Sequence, residues 1–256
     1  MKQWHKIIVG ITLLALIGTA GFQVLRQREP QYNGVGLGKY IEQKFAMYQW
    51  SEAVRPVKAT GDTGVRYLIR QVRRDPLTEL EIKASRYCPV SVQKFLPKQV
   101  DYQNRRIRAS TVLDRLGTNA VVALPDCLEI LESDTGFGPR QSCLNIVVKF
   151  APGTKLEQRA LEAMCKLAES GEREERRTAL FYLMKFPNHT QEVVPVLVRS
   201  LKRPGMYGPC SAALITIGPA AIPALQEEAA KELFHVRPAT LVLEQMQKNG
   251  VTGSNQ

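Results

Sequence analysis

The chain has little of what most catalytic and metal sites are made from. Its 256 residues include three histidines, His5, His189 and His235. None is expected to meet a second His, Cys or carboxylate at ligand spacing, which disfavours a metal centre. His189 follows Pro187-Asn188 and reads as a loop residue. No GxSxG, HExxH or Walker sequence occurs, so the common hydrolase and nucleotide-binding signatures are missing. The stretch GVGLG around Gly34, Gly36 and Gly38 lacks the spacing of GxGxxG and a preceding strand, so it is not taken as a phosphate loop. Five cysteines, Cys88, Cys127, Cys143, Cys165 and Cys210, form no CxxC pair. An odd number without that spacing argues against a dense disulfide framework and against zinc. Contexts such as SCLNIVV and AMCKLA make them small buried hydrophobes. No cofactor is expected.

Positive charge, by contrast, is in excess, and it is unevenly placed. The chain carries a formal +11. Residues 31–115 hold 16 Lys/Arg and 8 Asp/Glu, whereas residues 116–256 hold 15 of each. A basic half beside a neutral half points to an anionic neighbour: lipid headgroups, nucleic acid or an acidic protein. A solvated helix face has the same composition.

An uncharged run, Ile7 to Leu25, follows MKQWHK. As a helix its 19 residues span ~28 Å, about the thickness of a bilayer's hydrocarbon core. Lys2 and Lys6 flank one end and Arg26 and Arg28 the other, and Trp4 falls where an interfacial aromatic sits. The expectation is a single-pass anchor over residues 1–28. A cleaved signal peptide is the alternative, since Gly18-Thr19-Ala20 is a passable small-residue cleavage site. The short basic N-terminus favours the cytoplasmic side, which places the remaining chain outside the cytoplasm. The basic charge after the span argues weakly the other way.

Behind a linker and leading helix at 29–49, three stretches look alike: AVRPVKATGDTGVRYL from Ala53, ASTVLDRLGTNAVVAL from Ala109 and CSAALITIGPAAIPAL from Cys210. In each a small residue opens, an apolar stripe follows, a Gly falls eight residues on and Leu closes. FAPG at 150–153 and KFPN at 185–188 are helix-breaking points between them. Gly117, Gly153, Pro187 and Gly218 are 36, 34 and 31 residues apart, a near-regular period. Ala109, Val112, Leu113 and Leu116 have helical spacing. A glycine at the helix end suits a left-handed backbone, and Pro219 and Pro223 suit the first turn of the next helix. The uncharged LITIGPAAIPAL therefore reads as a buried corner between two antiparallel helices.

LGTNAVVALPDCLEIL and IGPAAIPALQEEA resemble HEAT repeats, in particular the short bacterial form related to phycobilin-lyase-type repeats. The N-terminal anchor, YNGVGLGKYIEQ and QNRRIRAS are similar to membrane-anchored bacterial HEAT-repeat proteins. The resemblance implies an all-α solenoid of about five helix pairs over residues 50–247, with a tail at 248–256. The interval from Gly61 to Gly117 breaks the period by an insertion over 75–104. What the resemblance implies is an α-solenoid binding surface of armadillo type; it does not imply a reaction.

The sequence offers one charged candidate face. Arg66, Arg70, Arg73 and Arg74 fall at i, i+4, i+7 and i+8. Lys98, Arg105, Arg106 and Arg108 follow, with Tyr40, Tyr48, Trp50, Tyr67, Tyr87 and Tyr102 interleaved. The expected electrostatic face is Arg66, Arg70, Arg73, Arg74, Arg105 and Arg106. The function this supports is a non-catalytic membrane scaffold that binds a protein partner, with anionic headgroups as a further contact. Nucleic acid binding, through phosphates and stacking, and a helical-repeat lyase are the alternatives.

Overall fold

A computed structural model describes residues 29–73, 79–80, 82–83, 87, 98–133, 137–232 and 237–251. The expected anchor and Arg74, Cys88 and most of the insertion lie outside the described residues. The described chain is all-α, apart from a short antiparallel hairpin, and divides into two compact units, one ending at Asn119 and the other beginning at Ala120.

The first unit begins with that hairpin, β1 (Gln31–Tyr32) and β2 (Val35–Gly36). Asn33 and Gly34 turn it with φ of 52° and 75°, the Asn-Gly pattern that fits a tight hairpin turn. Helices α1 (Leu37–Ala46), α2 (Val54–Val72) and α3 (Gln99–Arg115) follow. They pack on one another through Leu37, Ile41, Val57, Leu68, Val112 and Leu113, all buried. Helix α2 is really two helices, broken at Gly61 where φ is 57° and ψ is −141°.

The second unit contains α4 (Leu124–Ser133), α5 (Phe137–Phe150), α6 (Glu157–Ser170), α7 (Arg173–Tyr182), α8 (Thr190–Ser200), α9 (Tyr207–Ile217), α10 (Ile222–Ala229) and α11 (Pro238–Lys248). Its packing is orderly. Helix α4 packs on α5, α6 on α7, α8 on α9 and α10 on α11. Helices two apart in the chain also pack: α4 on α6, α6 on α8 and α8 on α10, and likewise α5 on α7, α7 on α9 and α9 on α11.

The glycines expected at corners take the backbone those corners need. Gly117, Gly153 and Gly218 have φ of 63°, 78° and 77°. Gly218 also has ψ −141°, the same as Gly61, in a region of backbone space that side-chain-bearing residues avoid. From Gly117 and from Gly218 the chain continues as 3₁₀ helix, to Ala123 and Ala221. Pro187 opens a 3₁₀ turn to His189 instead.

LITIGPAAIPAL differs from expectation in two respects. Leu214, Gly218, Ala221 and Leu225 are buried, but Thr216, Pro219, Ala220 and Pro223 are exposed, so the corner is half-buried. The principal packing partners of α9 are α7, α8 and α11 rather than α10, because a 3₁₀ stretch separates α9 from α10 along the chain. By length and composition alone Tyr207–Ala229 suffices to cross a membrane. Gly218 breaks it into helices of 11 and 8 residues, each well short of the ~20 that a span needs.

A second periodic feature was not read from the sequence. Arg106 on α3 donates from Nε to the carbonyl of Val72, the last residue of α2, at 2.9 Å. Arg140 on α5 donates to the carbonyl of Leu131 near the end of α4, at 3.3 Å. Arg176 on α7 donates to the carbonyl of Gly171, just past α6, at 3.0 Å. These arginines are 34 and 36 residues apart. Each satisfies a carbonyl left without a helical partner and puts a cation at the negative end of a helix dipole. Arg203 adds bonds to the carbonyls of Ala168 and Glu169 at the end of α6.

Candidate interaction surface

The structure divides the expected basic face. Arg66 and Arg70 are exposed one turn apart on α2, and Arg105 is exposed on α3. None of these three makes an ion pair among the described residues. Arg73 is half-buried at the end of α2. Arg106 leaves the face altogether: it is fully buried, bound to Val72 and lying 5.8 Å from the centre of the Tyr102 ring. Its role is to hold α3 against the end of α2. Arg108 is neutralised by Glu42 on α1, 2.7 Å away.

Between the exposed arginines lies Tyr67. Its hydroxyl donates to Glu29 Oε1 at 3.1 Å, and the amide of Gly38, in the first turn of α1, donates to the same oxygen. Burial, then the Glu29 carboxylate beside it, pushes the Tyr67 hydroxyl above its ordinary range, while Arg105 and Arg70 pull the other way. Gly38 admits this arrangement because a Cβ there would run into Tyr67 and Glu29. Leu37 donates its amide to the Pro30 carbonyl at 2.9 Å. The start of the described chain is thus fastened to the first unit.

A second surface lies at the far end of α1. The helix closes with paired 6→1 and 5→2 bonds: Gln49 N–H donates to the Lys44 carbonyl at 2.8 Å and Tyr48 N–H to the Phe45 carbonyl at 3.1 Å. This Schellman motif normally has Gly at its left-handed position. Here that position is Tyr48, with φ of 56°. A side chain in that backbone region costs about 1–2 kcal/mol. The ring it carries is 84% exposed, and Met47 beside it is 62% exposed. Trp50 stacks on Phe45 at 6.0 Å, and the Arg115 guanidinium covers the indole at 5.3 Å. Lys44 lies 5.5 Å from the Tyr40 ring and bonds Gln49 Oε1 at 2.9 Å. The exposed Met47 and Tyr48 and the part-exposed indole thus follow Lys44 closely in the chain, and Arg115 covers the indole.

The second unit has polar clusters of a structural kind. Glu175 is buried, although the run GEREERR at 171–177 mixes signs as an exposed helix start does; it closes a capping box with Glu172 and pairs with Arg140 at 3.2 Å. His189 does meet carboxylates, Glu157 at 3.2 Å and Glu192 at 3.4 Å. Among the described residues, no group of three or more His, Cys, Asp or Glu is arranged to hold a metal ion. A depression of about 330 Å³ is lined by Glu132, Arg140, Lys166 and Ser170, and Glu132 is already engaged by Arg159 through two bonds. Cys127, Cys143 and Cys210 are buried and Cys165 is half-buried, all as free thiols. Burial pushes the Cys165 thiol up to about 11 and the Cys210 thiol up to about 12.

Compared with protein-family models, with curated proteins and with solved structures, the chain matches none of them.

Proposed function

We propose that the chain is a non-catalytic helical-repeat scaffold held at a membrane by its N-terminal apolar segment, and that its helical units bind a protein partner. The observation that carries this reading is the packing order of the second unit. Each helix there packs on a chain neighbour and on the helix two along, as stacked helix pairs do in a solenoid. The HEAT-like character of LGTNAVVALPDCLEIL and IGPAAIPALQEEA, and the recurring arginine bonds to helix ends, fit the same reading. Such stacks offer extended surfaces and need no reacting centre. Exposed Arg66, Arg70 and Arg105 suit an acidic patch on the partner, outside the cytoplasm.

The test begins with topology: a reporter fused after Gln256 and active on one side of the membrane only, together with a check for cleavage after Ala20. An extracytoplasmic C-terminus on an uncleaved chain supports the anchored scaffold. A photo-crosslinker at position 70 is then expected to capture a protein, and Arg66→Ser, Arg70→Ser, Arg73→Ser and Arg74→Ser together are expected to weaken capture without unfolding the chain. Capture unchanged by the four substitutions rejects the basic face. A cytoplasmic C-terminus with capture of nucleic acid, falling steeply with salt, replaces the reading with the nucleic-acid one.

A further inference from the structure

We infer that Met47, Tyr48 and Trp50 form a second membrane contact, an interfacial loop that dips into an anionic bilayer surface beside Lys44 and Arg115. The inference rests on the anchored reading and adds a site to it.

Chain length sets the geometry. Only Arg26, Gln27 and Arg28 separate Leu25, the end of the apolar run, from Glu29, which is bonded to Gly38 and Tyr67. Four residue steps reach at most ~14 Å. The headgroup layer takes up roughly 5–8 Å of that. Glu29, and with it Gly38 and Tyr67, is therefore held within about one Debye length of the lipid surface, and α1, ten residues long, covers only ~15 Å from the fastened end to the loop. With α1 lying along the surface, both ends reach the headgroups.

Charge selects the lipid. Residues 31–115 carry twice as many basic as acidic residues, 16 against 8. Lys44 closely precedes the aromatic tip in the chain and Arg115 covers its indole, and cations beside an aromatic pair suit anionic headgroups over the acyl boundary. The backbone supports the choice of residues: a Schellman position is most cheaply filled by Gly, yet Tyr48 fills it with its ring in solvent. An amphipathic ring held outward at a conformational cost is useful when it has somewhere to go.

The two tryptophans of the chain, Trp4 and Trp50, separate this site from the anchor. In the full-length Trp4→Phe protein Trp50 is the sole indole, and in Trp50→Phe Trp4 is. Each is reconstituted into phosphatidylcholine vesicles with and without phosphatidylserine, carrying brominated acyl chains. The expected result is a blue shift and bromine quenching of Trp50 that need phosphatidylserine and are lost on adding Tyr48→Gly, which leaves the fold at least as stable. Trp50 reached by aqueous acrylamide alone, while Trp4 is quenched by bromine, overturns the loop and keeps the anchor. Quenching of Trp50 without quenching of Trp4 keeps the loop and rejects the anchor; quenching of neither rejects both. A blue shift that appears without vesicles and grows with protein concentration assigns the loop to a second copy and overturns the lipid contact. Quenching indifferent to phosphatidylserine overturns the role given to Lys44 and Arg115.

Discussion

Arg106 and Val72 are joined by a buried hydrogen bond of 2.9 Å from the guanidinium Nε to the last carbonyl of α2. The carbonyl has no helical partner of its own, so removing the donor leaves it buried and unsatisfied. Arg106→Met is expected to lower unfolding stability by about 2–3 kcal/mol. Arg105→Ser, on the same helix but exposed, is expected to change it by less than about 0.5 kcal/mol. Urea titrations of the two variants check the contrast; equal effects reject the structural role of Arg106.

Gly61 and Gly218 share a backbone conformation with positive φ and ψ −141°. At Gly61 an added Cβ meets no atom within 4 Å, so Gly61→Ala isolates the backbone cost. About 1–3 kcal/mol of stability is expected to be lost in each alanine variant. Gly208 is exposed within α9, with open space around it. Gly208→Ala is expected to raise stability by up to about 1 kcal/mol. Thermal melts that rank all three substitutions alike contradict the assigned corners.

Glu175 and Arg140 form a pair with side chains only 2% and 14% exposed. Removing one partner strands the other, and Glu175 also supports the start of α7 through its capping box. Glu175→Ala is expected to cost about 3 kcal/mol. Arg140→Met combined with Glu175→Leu is expected to cost less than the sum of the single changes. Additive losses in the double-mutant cycle show that the two residues act separately.

The Cys210 thiol is pushed up to about 12 by burial, above its value in an unfolded chain, about 8.5. Above that lower value the unfolded state gives up a proton that the folded state keeps, so stability is full below about pH 8.5 and declines as pH rises toward 12. Melting temperatures measured through this window are expected to fall, and to fall less steeply in Cys210→Ala. Native Cys210 is also expected to resist alkylation at pH 8 until the chain is unfolded, since the thiolate is the reactive form.

The corners were the most legible part of the fold. Gly117, Gly153 and Gly218 were visible as helix-breaking residues at a near-regular period, and each adopts positive φ. Glycine carries its conformational meaning wherever it stands, so its spacing survives in the sequence. The hairpin at 31–36 carried a signal in Asn33-Gly34 between Tyr32 and Val35, but in sequence the stretch reads as a linker running into a helix. The basic face was readable only in part. Arg66, Arg70 and Arg73 share a helical spacing, yet spacing does not separate an arginine in water from one turned onto a neighbouring helix. Arg105 and Arg106 are adjacent in sequence, and one is exposed while the other is fully buried.

The amino-acid sequence by itself determined what depends on local chemistry: helices with apolar stripes, glycine and proline at their ends, an excess of cations before residue 116, and cysteines among apolar neighbours. Tertiary structure alone decided which helices pack together, which arginines satisfy a neighbour's last carbonyls, and that Glu175 is buried against Arg140. It also decided that Glu29 is fastened to Gly38 and Tyr67, and that Tyr48 stands in solvent in a glycine's place. Burial and hydrogen-bond partners arise from segments far apart in the chain, and no local pattern of residues encodes how far apart they end.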